Sequence, residues 1–247
     1  MSQKFANKVV VITGGSDGIG LATAKRFAEE GAQVYVTGRR QEPLDIAVKE
    51  IGHGAVGIQG DVADPASLDR LYARIAHERG RIDVVFANAG ISESAALDEI
   101  DDAHIDRVFS VNVKGTLYTV QKAIPLMTTG GTVILAGSVA GSKGIASLSV
   151  YSATKAAIRS FARTWTTDLK ARGIRVNVVS PGMILTPAMQ AYLQANDGME
   201  EIFQNIAPFG RLGDVDEVAS AVLFLASDES RFVAGDELFV DGGVMAV

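Results

Sequence analysis

Short runs of β-branched residues alternate with longer amphipathic stretches along almost the whole chain. Such runs are typical of strands buried on both faces of a parallel sheet, and the stretches between them place apolar residues at helical spacing. Seven strands joined by helical crossovers predict a single α/β domain, with helices on both faces of one doubly wound, seven-stranded parallel sheet. The predicted strands span residues 9–12, 33–37, 56–59, 83–86, 131–135, 175–179 and 237–240. The predicted helices span residues 19–30, a segment after Pro43, and residues 67–79, 103–127, 150–172 and 216–226.

The composition fits a packed globular protein and argues against several kinds of site. Of the 247 residues, 47% are hydrophobic, which suits a large aliphatic core. The net charge of −6 leaves no broad basic surface, so neither nucleic acid nor a membrane is expected as a partner. The chain has no cysteine, and its three histidines are widely separated and expected at the surface, so no metal site is expected. A polar start and the lack of a long apolar run predict a cytoplasmic protein.

A glycine-rich turn directly follows the first predicted strand and leads into a helix. Gly14 permits a tight turn, Gly18 lets the backbone approach a pyrophosphate, and Gly20 lets the helix pack closely on the sheet, as in a Rossmann fold. The turn lacks the Gly-Lys-Ser/Thr ending of a nucleoside-triphosphate loop, so a dinucleotide held at the helix start is the expected ligand. The alternative is a structural turn that merely tolerates glycine. The expected cofactor contacts in this turn are Gly14, Ser16, Asp17, Gly18, Ile19 and Gly20.

The end of the second predicted strand favours NADP(H) as the dinucleotide. A carboxylate here would bond the ribose hydroxyls and repel a 2′-phosphate. The chain has Gly38, Arg39 and Arg40 instead, and the planar guanidinium of Arg39 suits a phosphate group. The alternative is that both arginines are simply solvated in a loop.

Tyr151 and Lys155 lie four residues apart, so they share one face of the helix predicted after the fifth strand. A free tyrosine has a pKa of about 10, and a nearby ammonium favours the phenolate and lowers that pKa. Ser138 follows the fifth strand, so its hydroxyl should emerge at the same edge of the sheet and orient a substrate oxygen. Alone, this spacing describes an ordinary amphipathic helix. Beside the glycine turn it predicts Tyr151 as the general acid/base of an oxidoreductase.

With these motifs in this order, the chain resembles the short-chain dehydrogenase/reductase family over essentially its full length, and is similar to its 3-oxoacyl-carrier-protein reductase-like members. The resemblance implies that Asn112 joins Ser138, Tyr151 and Lys155 in catalysis. It also implies that the further cofactor contacts are Asp61, Val62, Asn88, Ala89, Gly90, Tyr151, Lys155, Pro181, Gly182, Ile184 and Thr186.

Two positions depart from the family pattern. Ala87 stands where an asparagine usually precedes the Asn-Ala-Gly motif, and Asp17 stands where many NADP-preferring relatives carry a basic residue. The expected preference for NADP(H) therefore depends on Arg39, helped by Arg40 and Ser16.

The resemblance implies hydride transfer between nicotinamide and a carbonyl or secondary alcohol. Tyr151 would protonate the developing alkoxide, Lys155 would hold the ribose hydroxyls and lower the Tyr151 pKa, Ser138 would orient the carbonyl, and Asn112 would support a water relay. The cofactor half would span about residues 1–135 and the catalytic and substrate half about residues 136–247, with a lid over about residues 183–213 in an irregular stretch.

The expected substrate is an uncharged ketone or alcohol, because the residues around the predicted site are mostly apolar. The alternative is that these residues only pack the lid onto the domain. The predicted pocket and lid residues are Ile145, Ala146, Met183, Ile184, Leu185, Met189, Tyr192, Leu193 and Phe203.

Two other functions compete with this interpretation. A catalytically inactive NADP-binding sensor or regulator would have no need of a complete proton relay. A sugar-nucleotide epimerase shares the Tyr/Lys pair but usually needs an added substrate domain, for which no residues remain. By resemblance, the long helices at 103–127 and 150–172 and the C-terminal segment should form the interfaces of a homotetramer.

Overall fold

A computed structural model describes residues 3–247 of the chain, and its seven strands form one parallel sheet. The strand order across the sheet is β3-β2-β1-β4-β5-β6-β7, and every neighbouring pair runs parallel. This confirms the predicted seven-stranded, doubly wound sheet. The strands are β1 (Val9–Thr13), β2 (Gln33–Gly38), β3 (Val56–Gln59), β4 (Ile82–Ala87), β5 (Met127–Ala136), β6 (Arg175–Pro181) and β7 (Glu237–Val240).

Helices cover both faces of the sheet. The helices are α1 (Gly18–Glu29), α2 (Gln41–Ile51), α3 (Pro65–Glu78), α4 (Asp102–Phe109), α5 (Gly115–Ala123), α6 (Ser149–Asp168), α7 (Pro187–Ala195), α8 (Met199–Ile206) and α9 (Val215–Ala226). One face carries α1, α2 and α9, and the other carries α3, α5 and α6. Alternate residues of β1 enter the two cores, Val10 and Ile12 on the first side and Val9 and Val11 on the second, so all are apolar and buried.

The strand order reverses between β1 and β4, which are adjacent in the sheet. On the two sides of this point the chain crosses over in opposite directions along the sheet. This opens a crevice at the carboxyl ends of the central strands. The glycine turn follows β1, and Asn88 follows β4, so both flank this crevice.

The prediction of one long helix at 103–127 is wrong in detail, because this region is divided into separate helical segments. A π-helical turn at Ser110–Lys114 separates α4 from α5, and a 3₁₀ turn at Ile124–Leu126 ends the region. The extra residue per turn in a π segment allows the buried Asn112 side chain to reach backbone outside its own helix. Pro125 stops the helix since it has no N–H to donate, and β5 begins at once with Met127 rather than at residue 131.

The segment between β6 and α9 is also more regular than the irregular stretch that we predicted. It contains α7, which begins at Pro187 after the capping residue Thr186, and α8. Neither helix contains a buried residue, so both lie on the surface of the protein. We call residues 187–206 the lid helices.

His104 departs from the expected surface position, since only 7% of it is exposed. Its ring Nδ1 lies 3.9 Å from a carboxylate oxygen of Glu93, and His53 and His77 are exposed.

Within residues 3–247, the structure has no cluster of three or more potential metal-binding side chains. No helix in that range is both long enough and apolar enough to cross a membrane.

Helix α9 starts with a capping box. The Asp214 carboxylate accepts a hydrogen bond from the Asp216 N–H, and the Glu217 carboxylate accepts one from the Asp214 N–H at 2.8 Å. Arg211 also donates two hydrogen bonds to Glu217, at 2.6 and 2.8 Å. The Arg211 guanidinium and the Asp214 N–H together lower the pKa of Glu217 from its usual 4.5 to about 2.

A Glu217→Gln variant should lose a pH-dependent part of the stability. Because the Glu217 pKa is lower in the folded state, the ionised carboxylate stabilises the fold above pH 4.5, and this contribution disappears as the pH falls from 4.5 through about 2. We expect the variant to unfold at lower urea concentration than the wild type at pH 6, with the gap closing toward pH 2. A gap of constant size across this range would contradict the assignment.

Candidate active site

The glycine turn after β1 is anchored to the end of β4. The Asn88 side-chain amide donates to the carbonyl oxygens of Thr13 and Gly14, both at 3.0 Å. The backbone N–H groups of Asn88 and Ala89 both donate to Thr13 Oγ1 at 3.1 Å. These four hydrogen bonds fix the turn across the point where the strand order reverses.

Two glycines of the turn are required by its geometry. Gly14 has a φ of +65°, a conformation that costs other residues strain. At Gly20, a Cβ atom would lie 2.1 Å from the carbonyl oxygen of Gly14, so any side chain would force α1 away from the turn. The predicted roles of Gly14 in the turn and Gly20 in close packing agree with this geometry.

The first turn of α1 has the properties of an anion site. Asp17 precedes the helix, but its side chain accepts no capping hydrogen bond, so it leaves the N–H groups at the helix start to other acceptors. Thr186 lies opposite, because a Cβ on Gly18 would be 3.4 Å from Thr186 Cγ2. The turn and the loop after β6 therefore face each other, and the N–H groups at the helix start suit an anion such as a pyrophosphate.

The end of β2 presents two exposed arginines beside the glycine turn. Gly38 packs against Ser16, since a Cβ at Gly38 would lie 3.1 Å from Ser16 Oγ. Arg39 and Arg40 are exposed, and no carboxylate of the described residues lies within 4.0 Å of either guanidinium. Their charges are therefore available to a phosphate next to Ser16.

The segment after β3 lies beside the end of β2. The Gly60 N–H donates to the Gly38 carbonyl at 3.0 Å, which brings Asp61 and Val62 to the same edge. Asp61 uses its carboxylate to accept from the Ala63 N–H at 2.9 Å, and Val62 is buried against Gly115.

Ser138, Tyr151 and Lys155 come together at the carboxyl edge of β5. Tyr151 lies in the first turn of α6, and the Ser138 hydroxyl is near enough to that of Tyr151 to favour the phenolate. The buried Lys155 ammonium donates to the Ala136 carbonyl at 2.8 Å and lies 5.5 Å from the centre of the Tyr151 ring. Because an ammonium has three N–H groups, Lys155 has donors left for other oxygens in the crevice.

The pKa values of these groups differ from the sequence-based expectation. Burial raises the pKa of Tyr151, and the nearby Ser138 hydroxyl opposes that rise. Lys155, which we expected to lower the Tyr151 pKa, does not bring it below its usual value. Burial lowers the pKa of Lys155 itself to about 8, because an ammonium is costly to remove from water.

Asn112 is buried, with 1% of its surface exposed, and both hydrogens of its side-chain amide are used. Its Nδ2 donates to the Ile91 carbonyl at 2.9 Å and to Thr154 Oγ1 at 3.1 Å, while its Oδ1 accepts from the Ile91 N–H at 2.9 Å. Thr154 in turn donates to the Tyr151 carbonyl at 2.6 Å. The side chain therefore connects the loop after β4 to the helix carrying Tyr151, rather than offering free donors to a water relay.

Gly90 lies between the two buried polar groups. A Cβ on Gly90 would be 3.3 Å from Asn112 Oδ1 and 3.5 Å from Lys155 Nζ. The Asn-Ala-Gly segment thus borders both the glycine turn, through Asn88, and the catalytic candidates, through Gly90.

Sequence reasoning missed two threonines that support the site. Thr13 holds the backbone after β4, and Thr154 connects Asn112 to α6. Thr13 could have been suspected as the last residue of a central strand. Thr154 carries no comparable signal, since its role depends on the π-helical turn that brings Asn112 to it.

The loop after β6 matches the expectation only in part. Gly182 fits closely against Asp241, because a Cβ on Gly182 would lie 2.8 Å from the Asp241 Cα. Thr186 Oγ1 caps α7 by accepting a hydrogen bond from the Met189 N–H at 3.1 Å. Ile184, however, is buried in the core shared with α1 and α9 and pairs with Gly213. The prediction that Ile184 lines the pocket is wrong, because its side chain points into that core.

Apolar side chains are partly exposed in the segments that follow β5 and β6. Ile145, Leu185 and Tyr192 are each about two-fifths exposed, at 39%, 40% and 43%, and the Tyr192 ring stacks on Phe203 at 6.0 Å. The Ala95 N–H donates to the Ser147 carbonyl at 2.9 Å, which joins the loops after β4 and β5. Two cavities of about 450 and 440 Å³ lie elsewhere, at the amino ends of the strands, and contain none of the predicted site residues.

Comparisons with known proteins agree with this geometry. A family model described as Enoyl-(Acyl carrier protein) reductase matches residues 14–245. The chain is 46% identical to Oxidoreductase asL5 of Sarocladium schorii, over 99% of this chain and 98% of that protein. It is 34% identical to the NADP-dependent (R)-specific alcohol dehydrogenase of Lentilactobacillus kefiri, over the full length of both. A solved Glucose/ribitol dehydrogenase structure from Brucella melitensis superposes with a TM-score of 0.93 at 31% identity, over 99% of each chain.

The fold and the relatives define an oxidoreductase that acts on CH–OH and C=O groups with a nicotinamide cofactor. The chain belongs to the short-chain dehydrogenase/reductase family.

Proposed function

We propose that the protein is an NADP(H)-dependent oxidoreductase in which Tyr151 is the general acid/base for a carbonyl or secondary alcohol substrate. The observation that carries this proposal is the convergence of Ser138, Tyr151 and Lys155 at the carboxyl edge of β5, beside the anion site at the start of α1. When bound, the nicotinamide supplies or accepts the hydride.

The chain's own residues move the proton. In reduction, the Tyr151 O–H bond breaks and its proton goes to the substrate oxygen as that oxygen gains negative charge. Ser138 donates to the same oxygen and holds it near the phenol. The Lys155 ammonium stabilises the resulting phenolate and binds ribose hydroxyls with its remaining N–H groups. Oxidation of an alcohol runs through the same groups in reverse.

The preference for NADP(H) is supported by charge and by one relative. Arg39 and Arg40 are exposed beside Ser16, and Gly38 replaces the carboxylate that would repel a 2′-phosphate. The Lentilactobacillus relative is named as NADP-dependent. Asp17 is exposed and lies on the same turn, so its carboxylate opposes this preference.

An Arg39→Ala variant should bind NADPH about 10- to 100-fold more weakly, because it loses a charged hydrogen bond to phosphate. Its affinity for NADH should change little, since NADH has no 2′-phosphate. Nicotinamide fluorescence titration measures both dissociation constants. Lys49→Ala, which removes an exposed cation in α2, is the matched control. Equal NADPH affinity in Arg39→Ala and wild type would refute the role of Arg39.

A Tyr151→Phe variant should lower kcat by a factor of about 10² to 10⁴, because it removes the group that transfers the proton. The ring is retained, so NADPH should bind with the wild-type dissociation constant. Turnover is measured with NADPH and a panel of uncharged ketones, which the exposed Ile145, Leu185 and Tyr192 favour as substrates. Loss of cofactor binding together with activity would instead indicate a structural role for Tyr151.

We also propose a homotetramer. Large apolar side chains are exposed on α4, α9 and the segment before β7, including Ile105, Phe224 and the fully exposed Phe232, and a monomer gains nothing by exposing them. Light scattering should therefore give about four times the chain mass of 26.0 kDa. A mass near that of one chain would exclude self-association.

A further inference from the structure

A cluster centred on one largely buried carboxylate lies outside the groups that act on the substrate. Glu237, the first residue of β7, has a side chain that is only 14% exposed. Ser180 Oγ donates to one of its carboxylate oxygens at 2.7 Å, and Ser142 Oγ donates to the other at 3.4 Å. Arg159 lies 3.6 Å from the same carboxylate and donates to Ser142 Oγ. We call these four residues the Glu237 cluster.

The cluster contacts both ends of the segment that carries Ser138. At its start, Gly137 lies so close to the fully buried Ser180 that a Cβ on Gly137 would be 2.2 Å from Ser180 Oγ. At its end, Ser142 directly follows the 3₁₀ turn Val139–Gly141, which Ser138 begins. Glu237 therefore holds the two sides of this turn through one carboxylate.

The same cluster reaches the helix that carries Tyr151. Arg159 lies one helical turn beyond Lys155 on α6. The turn after Ser138 also packs on that helix, since a Cβ on Gly141 would lie 3.0 Å from the Lys155 carbonyl carbon. The distance between the Ser138 turn and α6 is thus set by close backbone contact and by the bridge from Ser142 through Arg159 to Glu237.

The chemistry of the cluster requires the acid. A largely buried carboxylate is stable only when donors surround it, and here a serine, a second serine and a guanidinium do so. Removing it would leave the buried Ser180 hydroxyl without its acceptor and Arg159 without its counter-ion.

We propose that Glu237 is a positioning residue that keeps Ser138 within hydrogen-bond reach of Tyr151, by tying the Ser138 turn to β6 and to α6. This inference depends on the proposed role of Tyr151 as the acid/base.

The test is the titration of Tyr151 in the intact protein, which needs no substrate. The ultraviolet absorbance of phenolate is recorded against pH for each protein and for the same protein carrying Tyr151→Phe, and the difference isolates Tyr151. In Glu237→Ala the pKa of Tyr151 should rise above its wild-type value, because the Ser138 hydroxyl that lowers it is no longer held in place. Ser142→Ala should shift it the same way, and Glu237→Gln, which keeps an acceptor for Ser180, should restore most of the wild-type value.

Glu229→Ala is the matched control, because Glu229 also pairs with a cation, Lys4 at 2.7 Å, but at the amino edge of the sheet. It should leave the Tyr151 titration unchanged. An unshifted Tyr151 in both Glu237→Ala and Ser142→Ala would overturn the proposal, even if the melting temperature falls. If Glu237→Ala does not fold, the exposed Ser142→Ala decides the question by the same criterion.

The titration also separates this inference from the proposed function. A wild-type protein that reduces no ketone, but whose Tyr151 pKa shifts as described, would refute the catalytic role and leave the positioning of Ser138 supported. Where a substrate is turned over, Glu237→Ala should lower kcat several-fold while leaving the dissociation constant of NADPH at the wild-type value.

Discussion

The reversal of strand order between β1 and β4 is the constraint on which the site depends. It places the carboxyl ends of two central strands side by side without a helix crossing above them. The chain fills this position with Thr13 and Asn88, whose mutual hydrogen bonds hold the glycine turn in place. Ser138 and the helix that carries Tyr151 and Lys155 both follow β5 at the same edge of the sheet.

Buried polar groups, rather than apolar packing, connect the two halves of the site. Asn112, Thr154 and Lys155 are all buried, and each has its hydrogen-bond partners in neighbouring segments. A buried donor without an acceptor costs about 1 to 3 kcal/mol, so such a network has one favoured arrangement. These hydrogen bonds join the segments after β4 and β5 to the helix that carries Tyr151, and they therefore help to fix where Tyr151 lies.

Much of the fold could be predicted from the sequence because the strands are nearly continuous β-branched runs and the turns carry glycine. Residues 9–12 and 33–37 lie within β1 and β2, and the motif around Gly14 lies where its glycines require. The division of residues 103–127 could not be predicted, since a π-helical turn depends on tertiary hydrogen bonds from Asn112 and not on local preference. The same holds for Ile184, whose burial depends on α9 and Gly213, residues distant in the sequence.

The lid helices have a consequence for how this fold can change. Neither helix buries a residue of its own. Thr186 caps the start of α7, and Ile184, which precedes the two helices, pairs with Gly213, which follows them. Exchanging side chains within the lid helices themselves would therefore leave the two cores intact. The sequence of residues 187–206 can therefore change while the apolar packing on both faces of the sheet stays the same.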